Sequence, residues 1–135
     1  MSFEVREGKA VWDGQTLEQW IAPLVAGLVS EFDPLEVVLF GSVARGDDDG
    51  DSDLDVLVVL DAYDPQDAIA LKKRAARTAK APVPFDACFT DPNRRTTRAP
   101  IAGTLERAAR TEGHVIYKRS RISPSPYSSW AAPSA

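Results

Sequence analysis

Two apolar runs constrain the fold of this chain more than any other feature. They occupy residues 37–40 and 54–60 and are rich in valine and leucine. A Gly-Ser pair, a short segment with one arginine and the acidic loop 47–52 separate them. Runs of this length and composition are typical of strands buried on both faces. They predict a sheet covered by helices, and therefore a small α/β or α+β domain.

The second run is unusual because it carries a carboxylate. Asp55 is flanked by apolar residues, and Asp53 precedes it by two positions. Residues two apart in a strand point to the same side, so the two carboxylates should converge. Adjacent carboxylates repel one another unless a cation lies between them. Oxygen ligands of this kind suit Mg²⁺, which keeps several waters and shares substrate phosphate oxygens.

A third acid could complete such a site. Asp86 lies in another apolar segment, 82–89, and is the only good candidate on a neighbouring strand. Three carboxylates can hold two metal ions in a clamp that activates an attacking hydroxyl and stabilises a leaving pyrophosphate. We therefore predict that the metal-binding and catalytic residues are Asp53, Asp55 and Asp86.

The turn between the two runs predicts phosphate binding. Gly41 allows the backbone to come close to a phosphate, and the hydroxyl of Ser42 can bind the anion. Backbone N–H groups at the start of a short helix, predicted over residues 43–46, add further donors. Arg45 lies about one helical turn further on, where its guanidinium could reach a triphosphate.

Calcium-binding and Walker-type loops fit the acidic stretch less well. An EF-hand loop needs glycine at its sixth position and glutamate at its twelfth, and a loop starting at Asp47 or Asp51 has neither. A Walker loop would need Gly-Lys-Ser/Thr, which the sequence lacks. A solvated loop accounts for the aspartates from 47 to 51, but not for Asp55 or Asp86 within apolar strands.

The N-terminal part predicts a hairpin followed by a long helix. Residues 3–12 alternate weakly around a Glu-Gly pair, which is a predicted hairpin turn. Thr16 and Gln19 have the form of a capping box, after which apolar residues recur at helical spacing up to Asp33-Pro34. Pro23 should either kink this helix or mark its first turn.

The C-terminal half predicts two more helices around a third strand. Asp64-Pro65 introduces a helix with a basic face, and the sequence leaves open which of its cations reaches a phosphate: Lys72, Lys73, Arg74 or Arg77. Residues 82–89 predict a strand, 91–97 a polar loop, 100–111 a helix and 115–117 a last short strand. This order predicts a mixed β-sheet flanked by helices.

Length and composition favour one domain with less regular ends. We expect an N-terminal arm or hairpin over 1–15, one domain over 16–119 and, because Ser, Pro and Ala dominate, a disordered tail over 120–135. The net charge of −4, with acids concentrated between 47 and 55, argues against general nucleic-acid binding. No apolar run is long enough to cross a bilayer, and a single cysteine, Cys88, favours a buried structural thiol in a reducing cytoplasm.

The central stretch resembles a known family signature. GSVARGDDDGDSDLDVLVV is similar to the Gly-Ser, ten residues, Asp-x-Asp signature of the minimal nucleotidyltransferases (MNT) of the DNA polymerase β superfamily. Arg45-Gly46 and Ser52 match further positions of that signature, and Asp86 corresponds to the family's third acid. The ending RAARTEGHVIYKR resembles the family's close, a helix followed by Glu-Gly and a short apolar stretch with tyrosine. The resemblance covers about residues 16–119.

The resemblance implies a polymerase β-like fold and transfer of a nucleoside monophosphate from ATP or another nucleoside triphosphate to an acceptor hydroxyl. Carried over by position, the nucleotide-binding residues are Gly41, Ser42, Arg45 and Ser52. Asp53 and Asp55 would hold two Mg²⁺ ions, for which Mn²⁺ could substitute. Asp86 would bind one of them and help to draw the proton from the acceptor.

The residues leave the acceptor open. Larger relatives append a domain to hold it, whereas little but the predicted tail follows Lys118, so we expect an acceptor supplied in trans. The resemblance points to minimal nucleotidyltransferases paired with HEPN ribonuclease toxins, antitoxins that adenylylate a toxin tyrosine. Two alternatives remain: a transferase for a small molecule, similar to the aminoglycoside nucleotidyltransferases, or a non-catalytic antitoxin that neutralises its partner by contact.

Overall fold

A computed structural model describes residues 2–79 and 81–120 of the chain. The predicted tail therefore lies, apart from Ser120, outside the described residues. The strands are β1 Phe3–Arg6, β2 Lys9–Trp12, β3 Gln15–Thr16, β4 Glu36–Phe40, β5 Leu54–Val59, β6 Phe85–Thr90 and β7 His114–Lys118. The α-helices are α1 Ile21–Phe32, α2 Ser42–Arg45, α3 Ala68–Thr78, α4 Pro92–Arg98 and α5 Leu105–Glu112. Short 3₁₀ turns, Glu18–Trp20 and Pro65–Asp67, precede α1 and α3.

The main sheet is mixed, as the sequence predicts. Its strand order is β6-β5-β4-β7, with β5 and β6 parallel and the other two pairs antiparallel. Helices lie against both faces of this sheet, which confirms the predicted α+β class. Strand β5 is central, and every residue in it except Asp55 is buried.

Alternating residues of β4 and β5 pack into two hydrophobic clusters, one on each face of the sheet. Val56 and Val58 pack with Leu24 of α1 and Ala75 of α3. Val38, Phe40 and Leu57 pack on the opposite side with Cys88 of β6 and Ala109 of α5. Burial on both faces explains why these runs are apolar almost throughout and lack a polar alternation.

The N-terminal predictions are confirmed. β1 and β2 form an antiparallel hairpin whose turn residues, Glu7 and Gly8, both have positive φ, 53° and 82°. This is the backbone conformation of a two-residue turn that matches strand twist. Thr16 N donates to Gln19 Oε1 at 2.9 Å and Gln19 N to Thr16 Oγ1 at 3.3 Å, which completes the capping box. Because α1 begins at Ile21, Pro23 lies in its first turn.

The predicted polar loop 91–97 is wrong, since Pro92–Arg98 forms the helix α4. Asp91 caps this helix by accepting from Arg94 N at 2.8 Å, and Pro92 occupies the first turn. The segment has no apolar face, so periodicity gave no signal for it. The cap and the proline, which favour a helix start, were the signals that should have outweighed its polarity.

Two further elements begin several residues later than predicted. The helix predicted over 100–111 begins only at Leu105, because Thr104 is its N-cap and accepts from Arg107 N at 3.2 Å. The strand predicted over 82–89 begins at Phe85 and extends to Thr90, which is fully buried. Within the part of the chain that the structure describes, no helix has the length and hydropathy needed to cross a membrane.

Candidate active site

The sheet register brings three of the predicted residues to one end of the sheet. Phe40, the last residue of β4, pairs with Asp55, and Asp55 pairs with Asp86 on the adjacent parallel strand. Gly41 directly follows Phe40, so the turn and the acids of two strands are neighbours. A Cβ atom on Gly41 would overlap Asp55 Oδ2 and lie 3.0 Å from Asp55 Cγ. Glycine is therefore required for the turn to approach this carboxylate.

The carboxylates repel one another. The pKa of Asp55 is raised to about 6, first by burial, then by the negative charges of Asp53 and Asp86 and a hydrogen bond with Asp53. Arg45 opposes this rise only in part. A cation between the acids would favour the ionised form. The electrostatics at this point of the sheet are those expected of a cation site.

Asp86 already has a partner. Lys72 of α3 places its Nζ 2.7 Å from Asp86 Oδ1 and 2.8 Å from the carbonyl oxygen of Ala87. Among the four cations left open by the sequence, Lys72 therefore reaches the third acid, whereas Arg74 pairs with Glu31 at 2.8 Å. The Asp86 side chain is 52% exposed despite this pairing. Sequence spacing gives no signal for a contact between a helix and a strand edge.

The residues fit Mg²⁺ in part. Asp53 and Asp55 offer the adjacent hard oxygen donors that this ion uses together with substrate phosphates. Among residues 2–79 and 81–120, however, no group of three or more His, Cys, Asp or Glu side chains is already arranged to hold a metal. One oxygen of Asp86 is bound by Lys72, at 2.7 Å. The metal roles of Asp53, Asp55 and Asp86, and the two ions expected there, stay predictions.

The turn has the geometry of a strand-to-helix connection. Gly41 adopts φ 84° and ψ −161°, and α2 starts at the next residue, Ser42. α2 ends at Arg45, and the capping residue Gly46 has φ 82° and donates its N–H to Ser42 O at 2.9 Å. The backbone N–H groups at the start of α2 and the Ser42 hydroxyl are therefore on the segment that begins beside Asp55.

Ser52 and Arg45 are engaged by acids. Ser52 Oγ accepts from Asp49 N at 2.8 Å and donates to Asp49 Oδ1 at 3.2 Å, which braces the acidic loop. Arg45 Nε donates to Asp47 Oδ2 at 3.1 Å, and its Nη1 donates to Glu112 Oε2 at 3.0 Å. The Arg45 side chain is 46% exposed, so it remains accessible to a ligand. Nucleotide binding by these two residues stays a prediction.

Glu112 was missed by the reasoning from residues. Its Oε2 also accepts from the Gly41 N–H at 2.8 Å, although the two residues are 71 positions apart. The one signal was the Glu-Gly pair that resembles the family's close.

Cys88, predicted to be structural, is buried and free, and its pKa is raised to about 11, chiefly by burial and then by Asp86. A thiol in that state is a poor nucleophile.

Comparisons with known proteins agree with this geometry. Residues 24–120 match the family model of the nucleotidyltransferase domain. The fold is similar to the crystal structure of a Sulfolobus solfataricus protein provisionally described as a nucleotidyltransferase, with a TM-score of 0.55 and 23% identity over 76% of this chain and 81% of that one. No curated protein is similar enough in sequence to match. Because the family model spans most of the chain and includes the turn and all three acids, this protein belongs to the nucleotidyltransferase domain family.

Proposed function

We propose that the chain transfers a nucleoside monophosphate, AMP from ATP in the first instance, to an acceptor hydroxyl in a Mg²⁺-dependent reaction. The observation that carries this proposal is the packing of the Gly41 turn directly against Asp55, beside Asp53 and one strand from Asp86. A phosphate-binding turn and a carboxylate pair in contact are what phosphoryl chemistry on a metal-bound triphosphate requires.

Each group has a part in the proposed reaction. The acceptor oxygen attacks the α-phosphorus, the bond from that phosphorus to the bridging oxygen of the β-phosphate breaks, and pyrophosphate leaves. The acceptor proton passes to Asp86, directly or through water. The turn at Gly41-Ser42 and Arg45 hold the triphosphate, and Asp53 with Asp55 would hold the metal. Bound Mg²⁺ would supply charge stabilisation for the transferring and leaving oxygens.

The proposed acceptor is a protein hydroxyl, a tyrosine of a HEPN-type toxin, which would make the chain an antitoxin. This choice follows the resemblance to the minimal nucleotidyltransferases of such pairs. The exposure of Asp86 supports it, because a group as large as a protein side chain can approach an acid whose side chain is 52% exposed.

The test is label transfer. The purified chain is incubated with Mg²⁺, ATP labelled on its α-phosphate and the protein encoded beside its gene. We expect label on a tyrosine of that protein. Asp53→Asn should lower the rate at least about 100-fold, since the loss of a metal ligand removes several kcal/mol of transition-state stabilisation. Asp51→Asn, the same change on the exposed acidic loop, serves as the matched control and should transfer at the original rate.

The other outcomes separate the alternatives. Label on an aminoglycoside, with none on the protein, would replace the protein acceptor by a small molecule. Full neutralisation of the partner by Asp53→Asn would mean that the chain acts by contact without catalysis. Failure to transfer label to either class of acceptor would refute the proposed enzyme.

A further inference from the structure

We infer that Glu112 is a positioning residue that holds Arg45 and the Gly41 turn in the arrangement that binds the triphosphate. This inference rests on the proposed function. It assigns a part in nucleotide binding to a side chain outside the Gly-Ser and Asp-x-Asp pattern. Glu112 acts through its two partners and not by touching the nucleotide itself.

A single oxygen makes both contacts. Glu112 Oε2 accepts from the Gly41 N–H at 2.8 Å and from Arg45 Nη1 at 3.0 Å. Gly41 is buried, so its N–H would be left unsatisfied without this acceptor, at a cost of about 1–3 kcal/mol. Since both bonds involve a charged acceptor, and one also a charged donor, they are the stronger kind of hydrogen bond.

The end of α5 places this carboxylate beside the Gly41 turn. Glu112 is the last residue of α5, and Gly113 follows it. A Cβ atom on Gly113 would overlap the Ala109 carbonyl oxygen and lie 2.7 Å from Val38 Cγ1. The glycine therefore lets α5 end directly against β4, next to the turn that follows β4. His114 adds a second tie in the same place, because its Nε2 lies 3.1 Å from Ala44 O in α2.

Among residues 2–79 and 81–120, the contacts of Arg45 leave some of its donors free for a phosphate. A guanidinium has five N–H donors, and the contacts to Asp47 and Glu112 use Nε and Nη1. Without Glu112, the ion pair left to Arg45 within the described residues is with Asp47, which lies on the exposed acidic loop. Arg45 would then be drawn away from the turn. Glu112 thus keeps the arginine beside the N–H groups with which it would share the triphosphate.

A second glutamate in the same helix provides the control. Glu106 is 4% exposed and bonds to Thr90 Oγ1 at 2.9 Å and to Arg98 Nε at 3.1 Å. These contacts fasten α5 to β6 and α4 and do not involve the Gly41 turn. Glu106→Gln removes a charge from α5 just as Glu112→Gln does. It therefore measures what loosening the helix does by itself.

The experiment is a double-mutant cycle on nucleotide binding. The Kd for an ATP analogue that cannot be cleaved between its α- and β-phosphates is measured with Mg²⁺ for the full chain, Glu112→Gln, Arg45→Ala and the double variant, together with Tm. Glu112→Gln should raise Kd about tenfold, as expected for the loss of a charge-assisted contact. Glu106→Gln should lower Tm and leave Kd unchanged. Because Glu112 acts in part through Arg45, the double variant should lose less binding free energy than the sum of the losses in the two single variants.

The results separate this inference from the proposed function. If the full chain binds the analogue but Glu112→Gln binds equally well, or if the two substitutions have additive effects, the inference is wrong and the proposed function stands. If the full chain binds no nucleotide with Mg²⁺, both the inference about Glu112 and the proposed function are wrong. Should Glu112→Gln not fold, Glu112→Asp takes its place. It keeps the charge but withdraws the carboxylate by one methylene, with the same expected weakening and the same coupling to Arg45.

Discussion

Position 41 requires glycine for two reasons, its backbone conformation and the close approach of Asp55. The backbone has φ 84°, and the space where a side chain would begin is filled by the Asp55 carboxylate. Gly46, just after α2, has a similar φ of 82°, but within the described residues no atom beyond its own chain neighbours lies within 4 Å of the position that a Cβ atom would occupy there. The two glycines therefore separate the cost of backbone strain from the cost of close approach.

Gly46→Ala should lower the free energy of unfolding by about 1–2 kcal/mol, the cost of a left-handed conformation for an L-residue. Gly41→Ala should cost about 2 kcal/mol more, because its methyl group must also displace Asp55. Urea unfolding of both variants gives the comparison. Equal losses for the two substitutions would contradict the close approach of turn and carboxylate.

The raised pKa of Asp55 makes stability depend on pH. Its pKa is about 6 in the folded chain and about 3.9 in an unfolded one, so ionisation is less favourable in the folded state. Well below pH 4 the group is neutral in both states and has no effect on stability. Stability is lost as the pH rises from about 4 through 6, because the unfolded state releases the proton more readily.

Asp55→Asn should therefore stabilise the metal-free protein at pH 8, by about 1 kcal/mol after allowance for solvent screening of a partly exposed group. The same substitution should have little effect at pH 3.5. Denaturant unfolding in the presence of a chelator, at both pH values, measures the difference. A loss of stability at pH 8 would show that the carboxylate is not under repulsion.

At the scale of elements, two aspartates begin helical segments with different numbers of bonds. Asp91 caps α4 through Arg94 N at 2.8 Å and also accepts from Tyr63 N at 2.9 Å. In the part of the chain that the structure describes, Asp64 caps the turn before α3 with a single side-chain bond, from Gln66 N at 2.9 Å. Asp91 thus fastens the segment that leads to α3 onto α4, whereas Asp64 acts only on its own turn.

Asp91→Ala should lower the free energy of unfolding by about 2 kcal/mol and Asp64→Ala by about 1 kcal/mol, since one loses two backbone partners and the other one. Thermal unfolding of the two variants at pH 7 supplies the measurement. Equal losses of stability would mean that the hydrogen bond from Tyr63 N to Asp91 does not stabilise the fold.

For the molecule as a whole, the three-stranded N-terminal sheet, in which β2 lies between β1 and β3, shares the main core. Ala10 of β2 and Leu17, just after β3, are buried in the same cluster as Leu24 and Val56. Lys9 also pairs with Asp48 of the acidic loop at 2.9 Å. The hairpin is therefore packed against the part of the chain that carries the candidate site.

Leu17→Ala should lower the free energy of unfolding by about 3 kcal/mol, the usual cost of a cavity at a buried leucine. Leu105, which is 45% exposed, provides the control. Leu105→Ala should change the free energy of unfolding by no more than about 0.5 kcal/mol. Far-UV circular dichroism and tryptophan fluorescence, to which Trp12 and Trp20 contribute, should report one coincident transition. A separate fluorescence transition would mean that the hairpin unfolds on its own.

Much of the architecture was predictable because its signals are local. The hairpin turn, the capping box and the two buried strands each depend on residues within a few positions of one another. The helix α4 was missed because a polar helix has no apolar period, and the start of α5 was misplaced because Thr104 was not recognised as its cap. In both cases short-range capping outweighed the composition on which the prediction relied.

The sequence by itself determined that Asp53 and Asp55 would share one side of a strand, because side chains alternate with a period of two. It also determined that a glycine turn would precede them. The sequence also predicted Asp86 as a third acid, but only the tertiary structure decided its register beside Asp55 and the helix packing that brought Lys72 to Asp86 and Glu112 to Gly41. Contacts between elements depend on how helices and strands pack, and the spacing of residues along the chain does not encode that packing.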